Sequence, residues 1–299
     1  MLPIVHHVDY QVPLRPGHRF PMSKYGYLRE ALIARGLIER GRYLAPTPAN
    51  AGMLARAHDP GYVERVLGGG LRPEEIRRIG LPGNPRVARR ARLAAAGTVL
   101  ATWMAIEHGI AANSAGGAHH ACRAGGAGFC TFNDVGVAVA ALLAKGGPQP
   151  VLIVDCDVHQ GDGTARLFAE EPRVFTFSLH AARNYPAEKA RSDLDVGLAD
   201  GTGDATYLGA LAAGLERALA AAAPKIVYYN AGVDVFAEDR LGRLSLTPEG
   251  IRARDALVIE TVRRRGLPLV CVIGGGYDDD PARLAAHHAI LFEEAAKAA

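Results

Sequence analysis

No two of the four cysteines, Cys122, Cys130, Cys156 and Cys271, stand in CxxC spacing, and they fit no disulfide framework. That absence excludes a cystine-stapled secreted fold and points to a reduced, cytoplasmic setting. Cys156 and Cys271 fall in strand-like runs, where a small buried hydrophobe is expected. Long hydrophobic runs are missing too. The opening MLPIVHHVDY lacks the apolar core of a signal peptide. The most apolar helical stretch, Gly209–Ala223, is broken by Glu216 and Arg217, so no membrane span is expected. Charge of one sign is not in large excess, the formal net charge being +3. The Arg-rich stretches 86–92 and 263–265 lie in helical patterns with no aromatics interleaved, which reads as solvated faces and not as a nucleic-acid surface. Neither the Walker spacing nor GxGxxG occurs, so no phosphate-cradling loop is expected.

What the chain does have is hydrophobic sequence, 49% of it, recurring without a long Pro/Gly/Ser linker. One domain over residues 1–299 follows. Strand-length runs rich in β-branched residues stand at 4–8, 151–155, 173–179, 225–229 and 267–273. Helix-period stretches lie between and around them, at 22–35, 85–108, 133–145, 204–222, 248–265 and 280–298. Thr247-Pro248-Glu249 supplies a capping residue and a first-turn proline. Strands apolar throughout that alternate with helices indicate an α/β fold with a mainly parallel sheet covered on both faces.

In such sheets ligands bind beyond the carboxyl ends of the strands. There the sequence collects ionisable and polar groups: Asp155-Cys156-Asp157-Val158-His159-Gln160-Gly161-Asp162, then Asn230-Ala231-Gly232-Val233-Asp234, then Gly274-Gly275-Gly276-Tyr277. Residues i and i+2 of extended chain point the same way, so Asp157 and His159 can reach one ion. With Asp234 they form an N,O,O set that suits catalytic zinc and also ferrous iron. Standing alone, such a DxH pair is more simply a local cap. His119 and His120 are neighbours, but irregular backbone after Gly116-Gly117 can turn both rings toward one water, and an imidazole near neutral pKa can relay its proton. Tyr277 follows three glycines, which lets a phenol lean over the site and donate to an oxyanion. His6-His7 and His287-His288 read as structural, the latter on the polar face of a terminal helix.

Five ordered motifs, GGAHHA at Gly116, GAGFC at Gly126, DCDVHQGDG at Asp155, NAGVDVFAEDRLG at Asn230 and GGGY at Gly274, resemble the histone deacetylase family of the arginase/deacetylase fold. The likeness runs from about Pro3 to Leu284. It implies a three-layer α/β/α architecture and a zinc-dependent amidohydrolase that removes acyl groups from lysine. Asp157, His159 and Asp234 would bind zinc. His120 would be the general base with His119 assisting, Asp155 and Asp162 would orient them, and Tyr277 would polarise the carbonyl. Gly128, Phe129 and Tyr185 would line the acyl-lysine channel. Asp155, Asp157, His159, Ser178 and Leu179 would form a structural potassium site.

Gln160 stands where many members have a second histidine, and together with DRLGRLSLTPEGIRARD at Asp239 and HRFPMSKYGYL near the N-terminus it resembles class IV. The substrate is then an acyl-lysine protein or peptide, acetylated or carrying a longer fatty acyl group. Small acetylated amines such as acetylpolyamines are the alternative, and an idle acyl-lysine binder is a third reading. Arginase-like binuclear chemistry is disfavoured, because Gly161 and Phe236 occupy positions where further Asp ligands would be needed.

Overall fold

Val151–Asp155 is apolar until its last residue because neighbours cover it on both sides and both faces. Seven strands pair in parallel: β1 (Ile4–Val5), β2 (Ile110–Asn113), β3 (Val151–Asp155), β4 (Val174–Ala181), β5 (Leu194–Leu198), β6 (Ile226–Ala231) and β7 (Leu269–Ile273), in the spatial order β1-β2-β7-β6-β3-β4-β5. The computed structural model describes residues 1–40 and 43–299. Its helices are α1 (Lys24–Ala34), α2 (Ala51–Leu54), α3 (Pro60–Gly68), α4 (Pro73–Ile79), α5 (Pro85–His108), α6 (Asp134–Ala144), α7 (Asp162–Phe168), α8 (Asp204–Ala222), α9 (Pro248–Arg263) and α10 (Pro281–Lys297).

Alternation along each strand divides the core in two. Leu152 and Val154 of β3, with Val227 and Tyr229 of β6, pack toward a cluster that takes in residues of α1, α8, α9 and α10. Val151 and Ile153, with Tyr228, Val270 and Val272, pack toward α5 and α6. The result is helices on both faces of a parallel sheet, the expected α/β architecture. The helices start where side chains can satisfy free N–H groups. Asn84 accepts from Val87 N ahead of α5, Thr247 from Gly250 N ahead of α9, and Asp280 from Ala282 N ahead of α10.

From β3 the chain builds outward through β4 to β5, then returns to β6 and builds the other way to β7. The reversal falls between β3 and β6, and a crevice opens at the carboxyl ends there. Asp155 pairs with Asn230 across these strands and with Ser178 of β4.

Several expectations need correction. β2 is built from Ile110-Ala111-Ala112-Asn113, too alanine-rich to read as a strand, and β5 has polar and exposed positions because it is the sheet edge. The first strand is shorter than expected, ending at Val5. Arg90, expected on a solvated face, is 8% exposed, donating to Tyr10 O and the Tyr25 hydroxyl. His287 and His288 are not on a polar face: both are buried, one against the Phe236 ring and the other inside the core. Among the described residues no helix is long and apolar enough to cross a membrane, and the four cysteines are free thiols.

Candidate active site

Asp157 and His159 lie just past the end of β3, and Asp234 just past β6. Backbone amides tie the carboxylates down: Asp157 Oδ2 accepts from Gly275 N at 2.6 Å and its Oδ1 from His159 N at 3.0 Å, and Asp234 Oδ1 accepts from Val158 N at 3.0 Å. Asp157 Oδ1 and Asp234 Oδ2 converge on His159 Nδ1, at 3.0 and 3.1 Å. All three residues are buried, and their ligand-type atoms lie within 4.8 Å of one another. Burial alone would lower the His159 pKa, yet hydrogen bonds to the two carboxylates raise it to about 10. Those two carboxylates thus attract positive charge to one point. The donor set, one imidazole nitrogen and two carboxylate oxygens, fits a divalent metal of zinc type. The cradle around it is glycine by necessity, since a Cβ on Gly275 would stand 1.9 Å from Asp234 Oδ2 and one on Gly232 would stand 2.4 Å from Asp157 Oδ2.

The histidine doublet comes to the same place from the loop after β2. Gly116 and Gly117 adopt φ of 100° and 70°, in the left-handed region that favours glycine. This turn brings the rings of His119 and His120 to 4.1 Å, with their Nε2 atoms 3.1 Å apart. Each Nδ1 is held by its own carboxylate at 2.7 Å, His119 by Asp155 and His120 by Asp162. The two pKa values diverge. For His119, burial is outweighed by Asp155 and Asp157, and the value rises to about 9. For His120, burial and the neighbouring His119 lower it to about 4. One ring is therefore disposed to stay cationic and the other neutral at physiological pH.

Tyr277 closes the far side, its ring 6.2 Å from that of His159 and nearly perpendicular to it. Burial and the nearby Asp234 push its phenol well above the ordinary value, so it remains a hydrogen-bond donor. Above these groups a cleft of about 640 Å³ opens to solvent, lined by Gly128, Phe129 and Tyr185 as well as His120, His159 and Tyr277. Tyr185 stands edge-on to His120 at 4.8 Å, and Phe129 packs at 6.0 Å from Tyr277. A Cβ on Gly128 would meet the His120 ring at 2.6 Å, which keeps this wall thin.

A sequence model of the family described as "Histone deacetylase domain" matches residues 18–292. The chain belongs to the histone deacetylase family. Among its relatives, histone deacetylase 2 of Arabidopsis thaliana is 32% identical over 90% of this chain and 72% of its own. A histone deacetylase-like amidohydrolase of Pseudomonas aeruginosa is 31% identical over 90% and 75%. An uncharacterized protein of Picosynechococcus sp. is 44% identical over 98% of both chains. The crystal structure of an HDA15 HD domain superposes with a TM-score of 0.80 at 23% identity, covering 98% of this chain and 90% of that one, and so shares the fold. The family is one of deacetylases and amidohydrolases, and this chain carries its hydrolase framework.

Sequence reasoning gave no supporting role to four residues, although it singled out Gln160 as a subgroup marker and Asn230 as a polar group at a strand end. Asn230 Nδ2 donates to Asp155 Oδ1 at 3.0 Å and so steadies the carboxylate behind His119. Asp239 accepts from the Tyr277, Leu241 and Gly242 amides and holds Tyr277 in place. Lys24, fully buried, donates to Gly274 O beneath the glycine run. Gln160 anchors the segment that carries Tyr185, bonding Ala190 on both its backbone groups and Asp195. The signal for Asn230, Asp239 and Lys24 was their place inside recognised motifs; their partners lie too far along the chain to be read. Of the residues assigned to potassium, Asp155 and Ser178 are cross-strand neighbours and Leu179 is fully buried. Both Asp155 oxygens are engaged, by His119 and by Asp157 N and Asn230.

Proposed function

We propose that the chain is a zinc-dependent lysine deacylase of class IV type, acting as one catalytic domain on acyl-lysine in a protein or peptide. The observation that carries this reading is the facing of two carboxylate-anchored imidazoles, one raised and one lowered in pKa, toward a buried Asp157–His159–Asp234 trio with Tyr277 opposite. Zinc on that trio supplies a Lewis acid for the amide carbonyl and lowers the pKa of water toward about 7.

The acyl-lysine stem enters between Phe129 and Tyr185, whose rings exclude solvent around its methylenes. His120, neutral and oriented by Asp162, takes a proton from the attacking water. His119, cationic and paired with Asp155, stabilises the negative charge that develops beside it. The Tyr277 hydroxyl donates to the carbonyl oxygen as it becomes an oxyanion. The histidine pair then returns a proton to the departing lysine amine. Gln160 in place of a second histidine, with the Asp239–Asp255 stretch, supports the class IV assignment. Asp155, Asp157, His159, Ser178 and Leu179 are assigned to a structural potassium ion.

The test is cleavage of matched lysine peptides carrying acetyl, lactyl, octanoyl or myristoyl groups by zinc-reconstituted protein, with Asp157→Ala as control. Chelator-sensitive cleavage that Asp157→Ala abolishes is the expected result, and the rate ranking assigns the acyl class. Failure to cleave any of them with zinc bound would reject the reading.

A further inference from the structure

Six arginines line the outer part of the cleft: Arg15, Arg19, Arg77, Arg78, Arg240 and Arg243. Among the described residues no aspartate or glutamate lines it with them. They arrive from three separate segments, the chain before Phe20, the end of α4 and the loop after Asp234. The formal charge of the whole chain is only +3, so this gathering is local and not a reflection of composition. All six are exposed, whereas His120, His159 and Tyr277 on the floor of the same cleft are buried.

Their internal counter-charge is small. Arg240 pairs with Asp279, itself 84% exposed, and Arg243 with Asp200 at 3.1 Å. Arg78 donates to the uncharged Gly126 O. Arg15, Arg19 and Arg77 have no carboxylate partner among the described residues. Like charges converging on one opening repel each other, and a cleft with low-dielectric walls concentrates their field outward. An anionic ligand relieves the repulsion.

Depth decides where the anion lies. The acyl group travels past Phe129 and Tyr185 to the buried floor, while the guanidinium groups stay at the mouth. They therefore meet whatever flanks the acylated side chain. We propose that this rim selects acyl-lysines set in acidic sequence, with neighbouring Asp or Glu carboxylates docked on the arginines. The proposal rests on the deacylase reading above and narrows its substrate class. It also runs against acetylated polyamines, whose remaining ammonium groups would be held among six cations. Nucleic acid is disfavoured because its bases would find one exposed ring at this mouth, Tyr185.

The experiment compares three peptides that share a central acyl-lysine and differ only in flanking Glu, Gln or Lys. With zinc-loaded full-length protein, kcat/KM should fall in the order Glu, Gln, Lys. The Glu advantage over Gln should be about tenfold at low salt, the size a few partly exposed ion pairs can give. It should reside in KM and shrink as salt is raised. In an Arg19→Glu, Arg77→Glu double variant the order should reverse, the Gln peptide serving as internal reference for any general loss. Equal kcat/KM for the Glu and Gln peptides, or a Glu preference that survives in the variant, overturns the proposal. So does faster turnover of a monoacetylated polyamine than of the Glu peptide. Should no peptide be cleaved, the deacylase reading fails by itself, and the rim is judged by fluorescence anisotropy of the labelled peptides. Salt-sensitive, tighter binding of the Glu peptide that the variant loses sustains an acidic partner; equal binding, or tighter binding of an oligonucleotide of matched charge, overturns it.

Discussion

His119-His120 and His287-His288 are the same dipeptide in two environments, and burial does not tell them apart: the four residues are 5%, 6%, 8% and 0% exposed. What separates them is backbone and partners. The first pair follows two glycines of positive φ, which turn neighbouring rings toward each other, and a carboxylate holds each Nδ1. The second pair lies inside α10, where successive side chains point about 100° apart, so the rings part company. His287 packs on Phe236, and neither nitrogen of His288 meets a partner among the described residues. Identical and equally buried residues thus end with a carboxylate hydrogen-bonded to each Nδ1 in one doublet and, among the described residues, to neither ring in the other.

The sharpest way to break that comparison is to truncate one member of each pair. His120→Ala should lower kcat/KM on the best acyl-lysine peptide by about a thousandfold, and His287→Ala by less than about twofold. Comparable losses from both would show that the doublets do not differ in role. Tyr277→Phe should cost about a hundredfold in kcat with zinc content unchanged by elemental analysis; an enzyme of near-normal kcat would remove the phenol from the chemistry. Asp162→Asn keeps the shape but weakens the carboxylate that orients His120. A loss of about tenfold is expected, and an unchanged kcat would mean that His120 needs no anchor.

The smallest effect belongs to the other doublet. Burial and the cations Lys24 and Arg254 hold the His288 pKa well below its ordinary 6.5. Because the unfolded histidine binds its proton more readily, stability is full above about pH 6.5 and declines as pH falls below it. His6 and His58, lowered by burial to about 4, act in the same direction over the window from 6.5 to 4. In His58 the cause is visible: Nε2 accepts from Asn133 N and Nδ1 faces Cys122 O, so protonation breaks a bond. Replacing His288 by Leu removes two unpartnered nitrogens and should add about 1 kcal/mol at neutral pH. It should also flatten the loss of Tm between pH 7 and pH 5, and an unchanged pH slope would contradict the assigned burial of His288 as a neutral ring.

Much of this was legible in the amino-acid order because the physics involved is local. Continuous apolar runs marked β3 at its observed ends and β6 to within about two residues, and period-3.6 hydrophobicity marked α5 and α8 at their observed ends. Donor chemistry spaced i, i+2 at a strand end marked Asp157 and His159. The glycines before His119 and Tyr277 announced unusual backbone. All of these depend on neighbours within a few residues. What the tertiary structure decided depends on contacts between residues far apart in the chain. β2 is a strand because β1 and β7 flank it, not because Ile110-Ala111-Ala112-Asn113 favours one. Arg90 is buried because Tyr10 and Tyr25 wait for its guanidinium. The six rim arginines belong to unremarkable charged stretches in sequence, and they become one surface only when three distant segments fold around the same opening.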